Sequence, residues 1–104
     1  MSFADWVGPV SERYIEIEGD RFFQFSAVVA LAEELVAEHP TLRFWQSVHN
    51  ILTQVGQAGI GGPWPELFYA TDRTEGMTQF ERRFEIIDDF IMPHDPYANI
   101  PAYT

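Results

Sequence analysis

Between Thr41 and Pro65 the chain carries a single formal charge, Arg43, although its 104 residues include 16 Asp and Glu. So uncharged a stretch in so acidic a chain belongs inside the fold. Within it Leu42, Trp45, Val48, Leu52 and Val55 recur at helical spacing, and Phe44 and Ile51 widen the stripe. The spacing predicts a central helix with protein on most sides. The rest of the chain must be arranged to cover it.

Upstream, Ser26 is positioned as an N-cap, and Val28, Val29, Leu31, Ala32, Leu35 and Val36 form one face of a helix over 27–38. Pro40 disfavours the helical conformation at His39 and suits the first turn of the next helix. The two helices are therefore predicted to pack as a hairpin. Glu33, Glu34 and Glu38 crowd the C-terminal half of the first helix, where the macrodipole disfavours anions. Arg43 or a partner nearby would relieve that cost. Tyr14 to Glu18 alternates with period two, Gly19-Asp20 reads as a turn, and Arg21 to Phe25 returns antiparallel, with Glu18 facing Arg21. The rival reading makes Asp20 the N-cap of the following helix, and the hairpin is preferred. In residues 1–12, Phe3, Trp6, Val7 and Val10 are expected to dock on the core on either side of the Gly8-Pro9 break.

Downstream, the glycines of 56–62 end the central helix and open a loop reaching about Arg73, pinned by Trp64, Leu67, Phe68 and Tyr69. Met77, Phe80, Phe84, Ile87 and Ile91 keep helical spacing and predict a last helix. Asp72 with Glu75 resembles its capping box, and Pro93 stops it. The expected fold class is mainly α: a small helical domain with an antiparallel helix pair, a C-terminal helix and an N-terminal β-hairpin, with α+β as the alternative. Residues 1–92 form one compact domain and 93–104 an extended tail.

A chain of this length suits one domain, and its 9 Phe, 3 Trp and 4 Tyr supply apolar area for a core. It has no cysteine, which excludes disulfides and thiolate chemistry. No apolar run is long enough to span a membrane, and the N-terminus lacks the basic and apolar regions of a signal peptide. A cytoplasmic address is expected. The net charge of −10 and the absence of lysine argue against direct nucleic-acid binding. They favour solubility and attraction to basic surfaces.

Catalytic motifs are wanting. The glycine cluster matches neither G-x-x-x-x-G-K-[ST] nor G-x-G-x-x-G. His39, His49 and His94 lack the spacing of metal ligands, and His94-Asp95 offers at most a loose pair. Glu33-Glu34 and Asp88-Asp89 are adjacent residues that would not face one another on a helix. Ser11, Ser26 and Ser47 have no nucleophile-elbow motif nearby. The sequence therefore names no catalytic residue, no metal ligand and no cofactor, and leans away from an enzyme.

The pattern His39-Pro40-Thr41-Leu42-Arg43-Phe44-x-Gln46-x-x-x-Asn50-x-Leu52, followed by Leu67-Phe68-Tyr69-Ala70-Thr71-Asp72, resembles a loose group of small bacterial and phage proteins. Those read HPxLRxxQ, then Asn-x-Leu, then D-x-F-Y-x-x-D. Glu66-Leu67-Phe68-Tyr69 departs from their Asp-Pro-Phe-Tyr form. The group carries no established activity. The resemblance implies a phage or mobile-element origin, where small acidic proteins often bind host machinery.

The expected function is a non-enzymatic acidic protein-binding module, a phage or mobile-element inhibitor of a basic, nucleic-acid-binding host protein. Its candidate contacts are Trp64, Phe68, Tyr69, Tyr97 and Tyr103, because aromatic residues anchor interfaces. The acidic residues fall into two groups, Asp5–Glu38 and Glu66–Asp95, so mimicry of a phosphate backbone is one form of this reading. A second class is a small ligand-binding domain or enzyme whose pocket lies under the 56–65 loop and holds His49 with a carboxylate. A third is a homo-oligomeric structural component.

Overall fold

The computed structural model describes residues 6–59 and 65–94. Its elements in chain order are α1 (Gly8–Ser11), β1 (Tyr14–Ile17), β2 (Asp20–Phe23), α2 (Phe25–Glu38), α3 (Phe44–Val55), α4 (Pro65–Phe68), α5 (Arg73–Arg83), β3 (Phe84–Ile87) and β4 (Phe90–Pro93). The fold is thus α+β, and the expectation of a mainly α domain is wrong. The error lies at the C-terminal end. The predicted long last helix stops at Arg83, and the chain turns at once into a second antiparallel hairpin. Phe84, Ile87 and Ile91 fit a helical period by coincidence. In the hairpin Phe84 and Ile91 are buried while Glu85 and Ile87 face outward. Asp88 and Asp89, at φ 51° and 70°, form the two-residue turn. Aspartate enters this left-handed region more readily than most residues, because its short side chain bonds locally.

The first hairpin exists, but its turn is displaced by one residue. Ile17 pairs with Asp20, so Glu18 and Gly19 are the central residues, at φ 53° and 88°. Arg21 consequently lies opposite Glu16 rather than Glu18, with its Nε 3.9 Å from the Glu16 carboxylate. The hairpins meet edge to edge through an antiparallel bridge, Gln24 to Phe90.

The N-cap of α2 is Gln24, not Ser26, and its side chain caps nothing. The cap comes from elsewhere in the chain. The Asp89 carbonyl accepts from Phe25 N–H at 2.6 Å, and the Asp89 carboxylate accepts from Ser26 N–H at 3.2 Å and from the Ser26 hydroxyl. The turn of the second hairpin therefore supplies acceptors to orphan donors at the start of α2.

Pro40 lies in the turn between α2 and α3 rather than in the first turn of α3, which begins at Phe44 with Arg43 as N-cap. Trp45, Val48, Ile51 and Leu52 of α3 are all buried. Trp45, 3% exposed, donates its indole N–H to the Arg73 carbonyl at 3.0 Å. Its ring packs at 5.6 Å from Phe80, which continues to Phe84 at 4.9 Å and Phe25 at 5.5 Å. Gly76 lets α5 approach this indole: a Cβ there would fall 2.0 Å from Trp45 Cδ1.

Gly56 closes α3 at φ 79°, and both Gly56 N–H and Gln57 N–H donate to the Leu52 carbonyl. This cap fixes the start of Gln57, which is 2% exposed. Its Oε1 accepts from Phe23 N–H at 2.8 Å, and its Nε2 donates to the Ile91 and Ala58 carbonyls, each at 2.9 Å. One side chain thereby joins β2 to β4 where the two hairpins do not pair directly.

The predicted capping box of α5 is only half made. The Asp72 carboxylate accepts from Thr74 N–H at 2.8 Å. Pro93, expected to begin the tail, ends β4, and the His94 ring lies 2.7 Å from the Glu81 carbonyl at the close of α5.

Candidate functional site

Two surface features adjoin on the α2–α3–α4 side, and His49 belongs to both. The first is an aromatic platform. Tyr69, just after α4, is 63% exposed, the most exposed large apolar side chain among the described residues. It is held in place: Phe68 meets it edge-on at 4.9 Å, and the Arg43 guanidinium stands 5.8 Å from its ring centre. Phe68 in turn meets the His49 ring edge-on at 5.4 Å. Helix α4 brings these residues against α3 because Leu67, on the same short helix, is buried in the core.

The second feature is a cleft of about 560 Å³ along α3 and the end of α2. Trp6, Leu35 and Leu42 give it apolar walls, and Glu38 and His39 stand at its lip. Ser47 and His49 line it from α3. Ser47 is 1% exposed, and among the described residues its Oγ has no hydrogen-bond partner; His49 Nε2 is buried and equally unpaired among them. Buried polar atoms normally find partners, so two orphans in one cleft are informative. The Asn50 carboxamide oxygen lies 3.5 Å from His49 Nδ1.

Of the five contacts expected from sequence, the structure brings Phe68 and Tyr69 together. Trp64, Tyr97 and Tyr103 lie outside the described residues. Sequence reasoning missed Arg43 as a platform residue and Ser47 as a cleft residue. Their helical register beside His49 was visible, but which face α4 covers was not. The acidic crowding on α2 is relieved by Arg73, not Arg43. Its guanidinium pairs with Glu33 at 3.1 Å and covers the Phe44 ring at 3.6 Å.

Among the described residues no group of three or more His, Asp or Glu is placed to hold a metal ion. None of their helices is long and apolar enough to cross a membrane. No protein-family model, curated protein or solved structure matches the chain.

Proposed function

We propose that the protein is a non-enzymatic binding module that engages a basic protein through the Arg43–Phe68–Tyr69 platform. The observation that carries this reading is Tyr69: a large ring that is mostly in solvent yet fixed by an aromatic edge and a guanidinium. Tyrosine and arginine are enriched among residues that dominate interface energetics. A ring already held in place loses little conformational entropy on binding. The net charge of −10 selects a partner of opposite sign and speeds its approach. The sequence pattern that resembles small bacterial and phage proteins favours a host protein as the target, with inhibition by occupancy as the mechanism.

The test is affinity capture from host-cell extract with the parent chain and with Tyr69→Ala, at low and high salt. A basic protein should be retained by the parent, released as salt rises, and weakened by about 2 kcal/mol or more in the variant. Retention of the same proteins at the same strength by Tyr69→Ala removes the platform from the interface.

A further inference from the structure

Beyond the protein-binding face, we infer that the cleft between the end of α2 and α3 is a small-molecule site. Its ligand is a ring-bearing amphipathic molecule, uncharged or cationic, that presents hydrogen-bond donors to Ser47 and His49.

The volume of about 560 Å³ lies within the usual range of ligand pockets. Such pockets combine apolar walls with a few placed polar groups, and this cleft has both. Trp6, Leu35 and Leu42 suit an apolar ring. The polar requirement is set by the orphan atoms. A buried hydroxyl without a partner destabilises the fold. Ser47 sits one helical turn after Arg43, yet its Oγ does not bond the carbonyl of that turn. Ser47 Oγ can accept as well as donate, and His49 Nε2 accepts in the tautomer protonated on Nδ1, so ligand O–H or N–H donors complement both.

Charge narrows the class further. The described lining residues include no arginine, Glu38 is at the lip, and the whole chain is strongly acidic. An anionic ligand would enter against that field, and a cationic one with it.

Tyramine and 4-hydroxyphenylacetate share a phenol ring and differ in the sign of their charge. Each is titrated into the ¹⁵N-labelled full chain while the Ser47 and His49 signals are followed by NMR. Tyramine should shift these signals saturably, and the carboxylate should bind at least about tenfold more weakly, the equivalent of one hydrogen bond to a charged group. Ser47→Ala should weaken tyramine by about three- to tenfold. It should also raise Tm by about 4 °C, because it removes an orphan hydroxyl from the interior. His49→Phe keeps a ring against Phe68 and should weaken tyramine similarly.

The site is overturned by absence of a saturable shift with tyramine, or by equal binding of the two probes. Variants that bind tyramine as tightly as the parent also overturn it. A lower Tm for Ser47→Ala overturns it independently, since that would mean the hydroxyl is satisfied within the fold.

Discussion

Gln57 shows how much one side chain can decide. It follows the glycine that closes α3, and its amide is used at both ends, by Phe23 N–H and by the Ile91 and Ala58 carbonyls. A leucine there would fill similar space and leave a buried donor and acceptor unpaired. Each such group costs about 1–3 kcal/mol. Gln57→Leu should therefore lower stability by about 2–4 kcal/mol, read as a reduced denaturation midpoint at unchanged slope. An unaltered midpoint would mean that water or a local shift replaces the amide. Ser47 is the opposite case, a buried polar group with no partner among the described residues. The contrast between the two separates a polar residue that assembles the fold from one that serves the cleft.

Among the elements, the second hairpin is the instructive one. Its turn has two tasks: Asp88 and Asp89 hold left-handed backbone, and Asp89 caps α2. The tasks can be separated by substitution. Asp89→Gly keeps the turn and the backbone carbonyl bond to Phe25 N–H but removes the carboxylate acceptors of Ser26, so it should cost less than about 1 kcal/mol, relief of left-handed strain offsetting part of the loss. Asp89→Ala removes the same acceptors while keeping a Cβ in the left-handed region, so it should be about 1–2 kcal/mol less stable than Asp89→Gly. Equal destabilisation of the two variants in urea would show that the turn is not strained. Helix α2 is thus anchored by a residue 63 positions from Ser26, which makes its start a tertiary feature rather than a local one. The two hairpins share four-residue strands and a two-residue turn, and each follows a helix. The first announces itself through Gly19. The second has no glycine in its turn, and its apolar residues mimic a helical stripe.

For the whole molecule, charge is the governing quantity. Sixteen acidic residues face six arginines, and the ion pairs Arg21–Glu16 and Arg73–Glu33 both have half-exposed side chains. Surface pairs of this kind contribute about 0–1 kcal/mol each, so screening removes little attraction. It removes much repulsion, because the Debye length falls from about 30 Å at 0.01 M to about 3 Å at 1 M ionic strength. Thermal stability should therefore rise with added NaCl over that range, while capture of a basic partner weakens. A Tm that falls with salt would place the acidic residues in attractive networks. The opposed salt dependences of stability and association distinguish a repulsive surface that serves recognition from one that stabilises the fold.

The sequence determined the interior. An uncharged stretch with a helical stripe has one favourable place in water, and Trp45, Val48, Ile51 and Leu52 occupy it. The α2–α3 pair and the first hairpin followed from equally local signals: periodicity, Pro40 and Gly19. Tertiary structure alone decided the second hairpin, the cap on α2, the bridge through Gln57 and the face of α3 left open as a cleft. Each depends on groups far apart in the chain meeting in space. Hydrogen bonds and burial select among locally similar conformations only after those groups have come together.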